Sequence, residues 1–144
     1  MAPAVRGRVL LVEDEDLLRK PIREILEMNG YAVLEAGNGE AALRLAEQYA
    51  EPIDLLLTDV IMPGVNGREL AEQLTAQRPN LRVLFMSGYT NNMVVHHGIL
   101  EEGLAFLEKP FTPEALAVKI RQVLRGVPLK PGNGAPKPSI RSPQ

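Results

Sequence analysis

The 144-residue chain has no cysteine, no tryptophan and no long apolar run. Without cysteine there is no disulfide framework and no thiolate metal site. No apolar stretch approaches the ~20 residues that a membrane-spanning helix needs. The N-terminal MAPAVRGRVLLVEDED does not have a signal-peptide layout, because acids follow its only apolar run at once. These absences suit the cytosol, which is the expected location. A strong charge of either sign is also missing. The formal net charge is −2, so the chain as a whole lacks the basic footprint of a nucleic-acid binder.

What remains is 45% apolar and 24% charged residues, enough for one globular domain with a real core. The charge is unevenly spread. The tail VPLKPGNGAPKPSIRSPQ (127–144) holds Lys130, Lys137 and Arg141, no acid, and five of the twelve prolines. It cannot bury enough apolar surface to order itself, so a disordered Pro/Gly-rich end or linker is expected. Residues 1–126 form the expected domain, with 13 basic against 18 acidic side chains.

Within that domain short apolar runs alternate with helical patterns. RVLLV (8–12), AVLEA (32–36), IDLLLT (53–58), LRVLFM (81–86) and LAFLE (104–108) read as strands. Leu18, Ile22, Ile25 and Leu26 follow helical spacing, as do Leu116, Ile120, Val123 and Leu124. Ala42, Leu43, Ala46, Tyr49 and Ala50 form one face of another helix, and Leu70, Ala71 and Leu74 mark a further one. Asn29-Gly30 and Gln77-Arg78-Pro79 are stop signals. Pro21 inside the first pattern means a late start or a kink. The stretch 88–103, with Asn91, Asn92 and Gly98, reads as a loosely held helix.

Alternating strands and helices indicate an α/β domain with a parallel sheet covered on both faces. Right-handed crossovers bring all carboxyl ends of the strands to one edge, where such sheets bind ligands. The first strand runs into Glu13-Asp14-Glu15-Asp16, the third into Asp59, the fourth into Ser87-Gly88 and the fifth into Lys109-Pro110. Singly, an acidic run suits a helix N-terminus and a strand-ending Asp suits a turn. Together they deliver carboxylates, a hydroxyl and an ammonium to one rim. Carboxylates packed together repel and invite a hard dication such as Mg²⁺, which takes oxygen ligands. A carboxylate there can attack phosphorus to form an acyl phosphate.

The motifs LLVEDED, LLLTDVIMPGVNG, FMSGYT and FLEKPF, in this order and spacing, resemble those of response-regulator receiver domains of two-component signalling. The resemblance covers about residues 7–125. It implies a flavodoxin-like doubly wound five-stranded parallel sheet of order 2-1-3-4-5 in a single domain. It implies that Asp59 is the phospho-acceptor. Glu13, Asp14, Asp59 and the Ile61 backbone carbonyl would then hold Mg²⁺, with Mn²⁺ as the alternative ion. Ser87 and Lys109 would serve the phosphoryl group. Ser87 and Phe106 would form a switch that repacks the 88–108 face, and the Lys109–Pro110 bond would be cis. Ile61 and Tyr89 would flank the water approach and, being bulky, slow the loss of phosphate. His96-His97 remains outside this scheme, since adjacent helical residues diverge.

The implied donor is a phospho-histidine on a sensor histidine kinase or phosphotransfer domain, and the implied target is a protein met by the 88–108 face. Neither nucleic acid nor membrane is an expected direct partner. The texture of VLFMSGYT and FLEKPFTPEAL is similar to receivers at the C-terminus of hybrid sensor histidine kinases, and no output domain is expected after Gly126. The domain would then be a phospho-acceptor inside a kinase rather than an enzyme by itself. A free-standing regulator and a non-phosphorylated pseudo-receiver are the alternatives. A phosphatase with an Asp nucleophile is disfavoured, because Ile61 stands where a general acid belongs.

Overall fold

A computed structural model of the chain describes residues 6–88 and 104–126. Tyr89, His96-His97, the tail 127–144 and most of the 88–108 face lie outside the described residues. Five strands, β1 (Gly7–Val12), β2 (Tyr31–Ala36), β3 (Leu55–Asp59), β4 (Arg82–Ser87) and β5 (Phe106–Glu108), form one parallel sheet in the order β2-β1-β3-β4-β5. Among the described residues the helices are α1 (Asp16–Met28), α2 (Gly39–Gln48), α3 (Gly67–Gln77) and α4 (Pro113–Arg125). This is the single flavodoxin-like α/β domain that the alternating pattern and the resemblance implied.

The strands read as continuous apolar runs because both sheet faces are covered. Val9 and Leu11 of β1 join Leu55 and Leu57 in a core with Ile22 and Leu26 of α1 and Leu116 and Ile120 of α4. Leu10 and Val12 point the other way, into a second core with Leu56, Ala42, Ala46, Leu70 and Leu74. Each fully buried leucine contributes about 1.5–3 kcal/mol relative to exposure. The parallel register pairs Val12 with both Ala36 and Thr58, and Asp59 with Met86, so strand ends finish level.

Local chemistry sets the element ends. Asn66 and Glu69 form a capping box at the start of α3, and Thr112 caps α4 ahead of Pro113. Gly126 closes α4 in the left-handed region, with φ of 73°. The chain departs from the sequence reading in four places. Helix α1 does not start late: it begins at Asp16 with Pro21 inside it, and Leu17, whose carbonyl loses its N–H partner to Pro21, is an exposed residue. Tyr49 and Ala50 lie beyond α2, where the Arg78 guanidinium binds the carbonyls of Ala46, Tyr49 and Glu51. Ile53 is buried but precedes β3. Strand β5 is only three residues long, its exposed Leu104 lying outside it.

Candidate functional site

Four strands deliver their ends to one rim. Glu13 follows β1, Asp59 closes β3, Ser87 closes β4 and Lys109 follows β5. Glu13, Asp59 and Ser87 are buried, and Asp14 is exposed. The Lys109 ammonium bridges the two buried acids, with Nζ 2.6 Å from Glu13 Oε1 and 2.6 Å from Asp59 Oδ1. Its backbone N–H donates to the Ser87 carbonyl at 2.7 Å, which continues the β4–β5 ladder into the site. The Lys109–Pro110 peptide bond is cis, as the resemblance implied.

The acidic run after β1 divides by function. The second carboxylate oxygen of Glu13 accepts the Glu15 N–H at 3.1 Å, and Asp16 turns to Arg19. Only Glu13 and Asp14 face Asp59, and one carboxylate oxygen from each of the three lies within 4.8 Å of the others. An all-oxygen set gathered this closely has the ligand chemistry of a hard dication, so these three side chains could hold Mg²⁺. Lys109 compensates two of the three carboxylates.

Burial pushes the Asp59 carboxyl up to about 8, and its hydrogen bond with Glu13 adds to the rise against the opposing Lys109. Burial would raise Glu13 as well, but hydrogen bonds with Asp59, Lys109 and the Glu15 amide hold it below the usual carboxylate range. Lys109 is raised despite burial, because the two carboxylates more than offset the loss of water. The two acids therefore titrate as a coupled pair, with Asp59 the member that holds a proton more readily.

Two further residues singled out in the sequence, Ile61 and Phe106, lie among the described residues. Ile61 is in the β3–α3 loop, two residues past Asp59, with its side chain half exposed. Phe106 opens β5 beside Phe85 of β4 and is half-buried against the α2–α3 core. Two contributors escaped the sequence reading. Gly67 starts α3 directly against the end of β3: a Cβ built on it would lie 2.0 Å from the Asp59 carbonyl oxygen. That carbonyl also accepts the buried Thr58 hydroxyl at 3.0 Å. Arg19 donates to the Glu13 carbonyl at 2.7 Å. The glycine ending PGVNG and Arg19, the first of two adjacent bases after the acidic run, were the available signals.

The response regulator receiver domain family matches residues 9–121. The sensor kinase CckA of Brucella abortus is 34% identical over 116 residues, which span 81% of this chain and 12% of that protein. The response regulator receiver protein CpdR of Brucella abortus is 33% identical over 117 residues, spanning 81% of this chain and 96% of that protein. The crystal structure of the receiver domain from hybrid histidine kinase CckA aligns with a TM-score of 0.69 at 42% identity, covering 82% of this chain and 99% of that one. Receiver domains accept phosphoryl groups from histidine kinases or phosphotransfer proteins and bind Mg²⁺ at an acidic pocket. With its sheet order, its rim of acids and Lys109, and these matches, this chain belongs to the response regulator receiver domain family of two-component signalling.

Proposed function

We propose that residues 1–126 take a phosphoryl group on Asp59 from a phospho-histidine donor and switch a protein-binding face. The observation that carries this reading is the Lys109 ammonium held 2.6 Å from both Glu13 and Asp59, with Asp14 alongside. In the reaction an Asp59 carboxylate oxygen attacks the donor phosphorus. The P–O bond forms as the P–N bond breaks, and the imidazole nitrogen keeps the electron pair and takes up a proton. Such a transfer depends on positioning and charge neutralisation more than on covalent help. Lys109 neutralises oxygens of the transferred group, and Ser87, at the neighbouring strand end, donates its hydroxyl to one of them. Glu13, Asp14, Asp59 and the Ile61 carbonyl would hold a divalent ion, which would supply further positive charge to the phosphoryl oxygens.

Phosphorylation adds about −1.5 to −2 charge and strong acceptor oxygens at the β4 end. Movement of Ser87 toward them vacates space that Phe106, half-buried on the next strand, turns to fill. That change reaches the 88–108 face, where the downstream protein docks. The half-exposed Ile61, with Tyr89, screens the phosphorus from water, which suits a long-lived signal or onward relay. No helix among the described residues is long and apolar enough to cross a membrane, and the cytoplasm, where kinase donors work, is the proposed location.

The context we favour is the C-terminal receiver of a hybrid sensor histidine kinase, supported by the likeness to CckA. The near-complete coverage of CpdR supports the second reading, a free-standing regulator. The genomic frame upstream of Met1 separates them. The site itself is tested with a small phosphodonor and Mg²⁺. Wild type gains a phosphoryl mass and Asp59→Asn does not. Equal labelling of both proteins at the same position overturns the assignment.

A further inference from the structure

Glu13 has no exposed surface, and every polar group of it is engaged. Its N–H donates to the Ala36 carbonyl at 3.3 Å, and its carboxylate oxygens accept from Lys109 and from the Glu15 amide. Its carbonyl accepts from Arg19 Nη1 at 2.7 Å. A buried carbonyl without such a donor is left unsatisfied and destabilises the fold. Arg19 stands near the N-terminus of α1, where the helix dipole disfavours a cation. Asp16 and Glu35 offset that cost by flanking the guanidinium, Glu35 lying 3.4 Å from Nε. Gly37 leaves it room, since a Cβ there would lie 3.3 Å from Nη1.

The carbonyl that Arg19 grips belongs to the peptide joining Glu13 to Asp14. Rotation of that peptide plane swings Asp14, the exposed member of the acidic trio. We propose that Arg19 is a positioning residue of the metal site: by holding this one carbonyl it sets the angle at which Asp14 meets Glu13 and Asp59. Glu35 binds the guanidinium in turn and Gly37 leaves it room, so the ion affinity of the rim depends on β2 and the turn after it. The inference rests on the metal reading above.

Arg23 supplies the control. It binds the same Glu35, with Nη1 2.9 Å from Oε2, and contacts the network without reaching Glu13. Mn²⁺ binding to the full chain is measured by electron paramagnetic resonance of the free ion, for wild type, Arg19→Ala, Arg19→Lys, Arg23→Ala and Asp14→Ala. Outer partners of metal ligands are worth about 10–100-fold in affinity. Arg19→Ala is expected to weaken Mn²⁺ binding by about 10-fold or more. Arg19→Lys, with one ammonium for three acceptors, falls between it and wild type and serves alone if the alanine variant does not fold. Arg23→Ala stays within about twofold of wild type, because only outer partners linked to a ligand carry the effect. Wild-type affinity in both Arg19 variants, or an equal loss in Arg23→Ala, overturns the positioning role. Wild type binding Mn²⁺ no better than Asp14→Ala is a different result, which overturns the metal reading and this inference together.

Discussion

Gly67→Ala is the most demanding test of how α3 is seated against the rim. The added methyl would sit 2.0 Å from the Asp59 carbonyl oxygen, 2.9 Å from its carbonyl carbon and 3.0 Å from Val60 Cα. All three are backbone atoms, so no side chain can rotate aside. Relief requires α3 to move away from the end of β3 by about 1 Å, breaking register with the Gly67 N–H to Val60 carbonyl bond of 2.8 Å. Helix propensity favours alanine by at most about 1 kcal/mol. Overpacking against a rigid neighbour costs about 1–3 kcal/mol or more. With a contact this short the upper end applies, and a net loss of about 2 kcal/mol is expected, or a melting temperature lower by roughly 8 °C. The same displacement moves Asp59, and a 1 Å error at a reacting group can cost about 100-fold in rate. Urea titration and the initial rate of labelling by a small phosphodonor measure the two effects. A variant within about 0.5 kcal/mol of wild type that labels at the wild-type rate, where surface changes of that size are the norm, would refute the seating argument.

Two further outcomes follow from the acid pair and the loop. The folded Asp59 carboxyl is raised to about 8 from the ordinary 3.8. Between those values the metal-free folded state holds more protons than the unfolded chain, so stability must fall as pH rises, by up to about 1.4 kcal/mol per unit. Glu13, lowered, and Lys109, raised, act below and above that window. Denaturation midpoints in EDTA should therefore decline from pH 5 to 8 in wild type and flatten in Asp59→Asn, and identical slopes contradict the raised Asp59 carboxyl. Replacing the half-exposed Ile61 by Asn and Tyr89 by Glu supplies groups that orient a water, and should shorten the lifetime of phospho-Asp59 several-fold, as about 10²–10⁴ is available to a positioned general base. Decay of label after donor removal checks it, and an unchanged wild-type rate in the double variant removes the shielding idea.

Much of the fold was legible because a parallel sheet buried on both faces leaves a plain trace. VLLV and LLL are apolar whichever way alternate residues point, and both cores receive them. The acids and Lys109 were legible as a rim because right-handed crossovers bring all strand ends together. What stayed hidden was pairing across long separations. Lys109 meets Glu13 over 96 positions, and nothing local in FLEKPF announces a bridge between two carboxylates. Arg19 looked like an ordinary polar helix residue, because its target is a backbone carbonyl without a sequence signature. Gly67 looked like turn punctuation, whereas its missing side chain admits a neighbouring strand. The shortness of β5 was equally invisible, since Leu104 and Ala105 carry strand-like composition outside the ladder.

The span between Glu13 and Lys109 also bears on how the protein is made. A ribosome releases the acids of β1 and β3 well before the lysine that joins them. Until β5 emerges, closing the rim would bring Glu13 and Asp59 together with no cation between them, an arrangement that resists closing. The three-residue β5 and the Lys109 beyond it are then the closing stitch. A product truncated before that point has Glu13 and Asp59 yet lacks the charge that joins them. Assembly of the rim is in this way withheld until translation has passed the last strand.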